Sequence, residues 1–129
     1  MYLAVKALHL LKSFYDDVHL VVPGVSKDEV FVPRWKGLLF GEKYIRYIRH
    51  LIEEYSLHDD ISFLGRLSAE GMVEQMQKAH VFLSPSSIDN SPNAVGEATM
   101  IGTPVVTTPV GGVPSMLKDE ESCLFAPAG

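Results

Sequence analysis

Hydrophobic residues recur along this chain in two rhythms. Leu3, Ala7, Leu10, Leu11 and Phe14 follow one another at steps of three and four, which predicts an amphipathic helix starting almost at residue 1 with these side chains inward. Val18-His19-Leu20-Val21-Val22 is short, rich in β-branched residues and closed by Pro23-Gly24, as a buried strand ending in a turn would be. Residues 24–40 show no period and read as a long loop. A second helix is expected from about Glu42 to Tyr55, with Ile45, Ile48, Leu51, Ile52 and Tyr55 on one face, and then a strand over Ile61–Leu64.

The second half repeats the alternation. Ser68 is placed to cap a third helix, with Glu70 in its first turn and Met72, Val73, Met76 and Ala79 as its inward face. Val81-Phe82-Leu83 predicts a strand that ends in Ser84-Pro85-Ser86-Ser87. A helix near Asn93 to Ile101 follows, then the turn Gly102-Thr103-Pro104, the strand Val105-Val106-Thr107 and a last short strand around Cys123-Leu124-Phe125. Helices alternating with short apolar strands imply a doubly wound α/β fold on a parallel sheet, with ligands at the carboxyl ends of the strands. No repeat or linker interrupts it, so residues 1–129 are expected to form a single domain, truncated at both ends.

Composition narrows the classes of function. With 47% hydrophobic and 21% charged residues the chain is of ordinary globular type, and 129 residues suffice for one core but not for two enclosing domains. A formal net charge of -5 argues against nucleic acid, whose binding depends on clustered cations. The basic cluster Lys43, Arg46, Arg49 and His50 shares its helix with Glu53 and Glu54 and reads as a solvated face, with a membrane-surface role left open. Cys123 is alone, so no disulfide framework is available, and a cytoplasmic setting fits best. His9, His19, His50, His58 and His80 lack the spacing of metal ligands, and Met72, Met76 and Met100 are expected in the core.

The chemistry concentrates between Ser84 and Gly112. Pro92 suits the first turn of a helix, and the amides of Asn93, Ala94 and Val95 would then point out of the helix start, where free donors and the positive dipole end favour phosphate. Asp89 and Glu97 flank that start and could accept bonds from sugar hydroxyls. Equally, Asp89 could cap the turn and Glu97 complement the dipole, and spacing alone does not separate the two readings. Gly111 and Gly112 allow tight backbone near a ligand, or only a turn. Trp35 could contact a partner or fold over its own loop.

The run SPS, an acidic residue, Glu-Ala, GTPVV and GG-x-P resembles the C-terminal domain of family 4 glycosyltransferases, and the resemblance extends from about Tyr2 to the end. It implies one Rossmann-like half of a two-domain GT-B enzyme. That enzyme would transfer a sugar, with retention, from a nucleoside diphosphate sugar to an acceptor hydroxyl, without an obligatory metal or other cofactor. Carried over by position, Glu97 corresponds to the glutamate that holds the ribose hydroxyls and Asp89 to the acidic residue beside the transferred sugar. Asn93 and Ala94 would offer amides to the distal phosphate or sugar, while Gly65 and Arg66 lie near where the family receives the base.

The chain departs from that pattern in several places. Asp89 replaces the usual Glu, and Ser115 stands where Glu commonly follows GG-x-P. The basic pair that neutralises the diphosphate precedes the segment where this chain begins, and the domain that receives a glycan or lipid-linked acceptor is not included. The resemblance therefore implies the donor half of a glycosyltransferase, inactive alone, cytoplasmic or peripheral to a membrane, and prone to self-association through exposed apolar surface. The alternative is a non-catalytic sugar-nucleotide-binding or interaction module.

Overall fold

The computed structural model describes residues 1–31, 41–87 and 92–127, apart from the side chains of Gly41 and Glu42. Trp35, much of the expected loop 24–40, and Asp89 lie outside the described residues. The chain divides into two compact units, Met1–Leu67 and Ser68–Gly129. Among the described residues every strand pair is parallel, apart from an isolated antiparallel bridge between Ser26 and Leu64.

In the first unit the order is α1 (Tyr2–Lys12), β1 (Leu20–Pro23), α2 (Lys27–Phe31), α3 (Gly41–Glu54) and β2 (Ile61–Gly65). β1 pairs with β2 in register Leu20 to Ile61 and Val22 to Phe63, with a shift before Pro23. The core gathers Val5, Leu8, Val30, Ile48, Leu51, Ile52, Leu57 and Ile61. The face expected of α3 is the one observed: Ile48, Leu51 and Ile52 are buried, with Ile45 and Tyr55 half-buried.

The face expected of α1 is not. Ala4, Val5 and Leu8 turn inward, while Leu10, Leu11 and Phe14 are 63%, 44% and 78% exposed. Both stripes of α1 are apolar, so periodicity could not choose between them. A short helix, α2, also appears inside the expected loop. Its start is a reciprocal cap, in which the Ser26 N–H donates to Glu29 Oε2 at 2.7 Å and the Glu29 N–H donates to Ser26 Oγ at 3.3 Å.

The second unit runs α4 (Ala69–Lys78), β3 (Phe82–Ser84), α5 (Asn93–Ile101), β4 (Val105–Thr107), α6 (Val113–Met116) and β5 (Leu124–Phe125). β4 is the middle strand, paired with β3 through Phe82 to Val105 and with β5 through Val106 to Leu124. Ser68 caps α4 as expected, its hydroxyl accepting from the Gly71 N–H at 3.1 Å. Met76, Val95, Ala98, Val105, Leu117 and Cys123 form the core.

Three expected core residues are not in it. Met100 is 83% exposed and Val73 40%, and Ala79 is exposed beyond the last turn of α4. α4 and α5 each bury a narrower stripe than their apolar content suggests. α5 ends where Gly102 takes φ 89°, a left-handed conformation that a side chain would strain.

Candidate functional site

Most of the expected site residues belong to the second unit, around the carboxyl ends of β3 and β4. Thr107 closes β4 and Thr108 follows it, both 1% exposed. The Thr107 hydroxyl donates to the Ser84 carbonyl at 3.2 Å, which also accepts from the Thr108 N–H at 3.3 Å. The Thr108 hydroxyl donates to the Ser86 carbonyl. Two buried hydroxyls thus hold the loop leaving β3 against the start of the loop leaving β4, and each finds the acceptor that burial demands.

Beyond that seam the chain turns tightly. The Val110 N–H donates to the Thr108 carbonyl at 2.8 Å, and Gly111 takes φ 55°, which a side chain would disfavour. The Gly112 carbonyl accepts from the Ser115 N–H at 3.2 Å and from the Ser115 hydroxyl at 2.6 Å. Ser115 therefore closes the first turn of α6, a local structural role for the residue that departs from the family pattern. Gly111 is exposed and Gly112 half-buried.

α5 supplies the rest of this side. Pro92 is buried at its N-cap, and its carbonyl accepts from the N–H groups of Val95 and Gly96, both at 3.1 Å. The Val95 amide, expected to point out of the helix start, is thus turned back onto Pro92, and its side chain, 1% exposed, belongs to the core. Asn93, Ala94 and Glu97 are all exposed on this helix. Asn93 and Glu97 are four apart and so share a face of the helix. Among the described residues Glu97 has no hydrogen-bond or ion-pair partner, which leaves its carboxylate available as an acceptor.

Gly65 and Arg66 lie in the first unit. The Gly65 N–H donates to the Val25 carbonyl at 2.8 Å, and its carbonyl accepts from the Gly24 N–H at 2.6 Å. A Cβ there would meet Ser26 Cβ at an ordinary 3.8 Å, so glycine is required by its φ of 65° rather than by space. Arg66, immediately after β2, is exposed.

Several other titratable groups have structural partners. His9 stacks on Tyr55 with ring centroids 4.0 Å apart, His19 Nε2 lies 2.8 Å from Ser62 Oγ, and His50 pairs with Glu54. Burial, and secondarily Asp119, push the Cys123 thiol above its ordinary value, so it stays protonated and unreactive. Hydrogen bonds from its own backbone N–H and from Ser68 hold the Glu70 carboxyl below the usual range. The sequence pattern did not single out Thr107 and Thr108; the signal was two hydroxyl residues at the end of a strand run where burial would favour apolar ones.

Known proteins resemble this chain in sequence and in fold. The model of the family described as glycosyl transferases group 1 matches residues 2–129. A human protein of phosphatidylinositol N-acetylglucosaminyltransferase, one of that enzyme's subunits, is 34% identical over 97 residues, which cover 74% of this chain and 20% of that protein, so the chain spans about a fifth of that relative. Sucrose-phosphate synthase from Thermosynechococcus elongatus superposes with a TM-score of 0.73 at 27% identity, over 96% of this chain and 29% of that one. Anabaena Alr3699/HepE, solved in complex with UDP, shares the fold with a TM-score of 0.64 at 19% identity, over 96% of this chain and 39% of that one.

Proposed function

From the premise that this chain belongs to the glycosyl transferases group 1 family, we propose that it is the donor-binding half of a retaining glycosyltransferase that uses a nucleoside diphosphate sugar. The observation that carries the reading is Glu97. It stands one turn inside α5, on the same face as Asn93, and has no partner among the described residues. A carboxylate so placed accepts the paired hydroxyls of a ribose, in charge-assisted bonds stronger than those between neutral groups. The backbone at Asn93 and Ala94 forms the positive end of the helix and faces the diphosphate, so that no obligatory metal is needed.

Asp89 orients the transferred sugar in this reading, and Gly111 and Gly112 let the backbone approach the ligand closely. The solved protein bound to UDP supports a nucleoside diphosphate as the donor's leaving group. The acceptor, a glycan or a lipid-linked sugar, is bound by another domain, and the parent protein works in the cytoplasm or at a membrane facing it. This chain alone binds donor without completing transfer.

Calorimetric titration with UDP, GDP and ADP tests the reading. One nucleotide is expected to bind, and Glu97→Ala to weaken it by about tenfold to a hundredfold, the worth of a charge-assisted hydrogen bond. Equal binding by a folded Glu97→Ala variant would overturn the assignment.

A further inference from the structure

A second surface, formed by α1 and α3, lies in the first unit. α1 and α3 lie side by side, joined by tyrosines: the Tyr2 N–H donates to the Tyr44 hydroxyl at 3.2 Å, and the Tyr2 and Tyr47 rings lie 6.3 Å apart. Lys6 Nζ sits 5.8 Å over the Tyr2 ring. Lys43 and Arg46 are exposed on the N-terminal half of α3, and Tyr44 and Tyr47 between and beside them are each 40% exposed.

Among the described residues Lys6, Lys43 and Arg46 have no ion pair, whereas Lys12, Lys78 and Lys118 each have one. Arg49 is not part of the patch. Its guanidinium donates twice to the Val30 carbonyl, at 2.9 and 2.6 Å, and so holds α2 to α3. Along α1 the helical steps Tyr2, Lys6, Leu10 and Phe14 continue the patch into an apolar ridge, with Leu10 63% and Phe14 78% exposed. Among the described side chains, acidic residues stand at its far ends: Asp16 and Asp17 after the ridge, Glu53 and Glu54 at the close of α3, the last paired with His50, while the side chain of Glu42, next to Lys43, lies outside the described residues.

We infer that this face of α1 and α3 docks on an anionic membrane surface, with Lys6, Lys43 and Arg46 at the lipid phosphates, the tyrosines at headgroup level and Leu10 and Phe14 in the acyl boundary. Charge complementarity argues for it. Lys6, Lys43 and Arg46, without an ion pair among the described residues, lie on the adjoining helices α1 and α3 of a chain whose net charge is -5, and each basic residue near an anionic leaflet adds to binding. Half-exposed tyrosines and protruding aliphatic and aromatic groups suit the boundary between headgroup and hydrocarbon. Nucleic acid would use the cations but has no use for the ridge, and the acidic remainder of the chain would repel it.

Co-sedimentation with vesicles tests this. The chain is expected to bind vesicles of equal parts phosphatidylcholine and phosphatidylglycerol but not phosphatidylcholine alone, and to be released by molar salt. Neutralising the pair in Lys43→Gln/Arg46→Gln should weaken binding by about fivefold per cation, while Lys118→Gln leaves it unchanged. Phe14→Ser should also weaken binding at low salt. All four side chains are exposed, so circular dichroism and melting should not change. Absence of vesicle binding, equal loss in the Lys118 control, or a concentration-dependent dimer that buries Phe14 in place of vesicle binding would overturn the inference. None of these outcomes depends on nucleotide binding or on Glu97.

Discussion

The unit Met1–Leu67 and the unit Ser68–Gly129 are of nearly equal length, yet they are held together differently. The first buries eight residues in one cluster, all of them aliphatic, and its buried set contains no polar side chain among the described residues. The second buries six, including the small Ala98 and Cys123, and adds Thr103, Thr107 and Thr108. Each of those hydroxyls donates to a carbonyl, Thr103 to that of Met76 at 2.8 Å. Area-driven packing is non-directional and fixes a core without fixing a loop, whereas a hydrogen bond specifies which atom faces which. Most of the candidate chemistry lies in the unit that uses the directional bonds.

Variants can break or sharpen this contrast. Ile48→Ala, in the fully buried centre of the first unit, should cost about 2–5 kcal/mol, the range for truncating a packed aliphatic side chain, read as a loss of hydrogen-exchange protection in α3 and β2. Thr108→Val keeps the shape but removes the donor to Ser86, and should cost about 1–3 kcal/mol. It should also weaken nucleotide binding, which Ile48→Ala leaves intact in the fraction still folded. If Thr108→Val altered neither stability nor binding, the polar seam would be incidental and the contrast would fall.

Smaller effects should separate the units further. A Cβ on Gly96 would approach Met116 Cε to 2.9 Å, but that methyl ends a flexible side chain that is 51% exposed and can swing away. Gly96→Ala should therefore stabilise the second unit by about 0.5–1 kcal/mol in chemical denaturation, the gain from replacing glycine inside a helix. A loss instead would show that the second core is as tightly filled as the first.

The smallest effect concerns acid. The Glu70 carboxyl is lowered by its bonds to its own N–H and to Ser68, so its contribution is present above the unfolded value and fades as pH falls through the lower folded one. Glu70 is fully exposed, so Glu70→Gln should only slightly flatten the acid limb of the second unit's melting profile. The first unit should be unaffected.

The sequence made the elements legible wherever punctuation was strong. α5 runs Asn93–Ile101 and β4 Val105–Thr107 as expected, because Pro92 and Gly102 bracket the helix and a second turn precedes the strand. α2 was hidden in a segment without period, although its Ser26-to-Glu29 spacing is a helix-start signal. In α1 two apolar stripes compete, and which one faces inward is decided by contacts with α3 and β1 that no local pattern encodes. At the candidate site, Glu97 and Asn93 were singled out by their motif, as expectations. Thr107 and Thr108 were not, because a threonine's hydrogen-bond partner lies elsewhere in the chain, and Asp89 lies outside the described residues.

The threonine seam also bears on the order in which the second unit forms. Its side-chain bonds join residues 22 and 23 positions apart, and the whole of α5 lies between them. The hydroxyls and carbonyls therefore cannot meet until the crossover has closed, at the entropic cost of a loop of that length. Local openings that peel β3 from β4 would break the seam first, before the aliphatic cluster beneath it yields. The loops of the proposed donor face are thus late to be made and early to be lost, so a partly unfolded chain should lose nucleotide binding while most of its helix content remains.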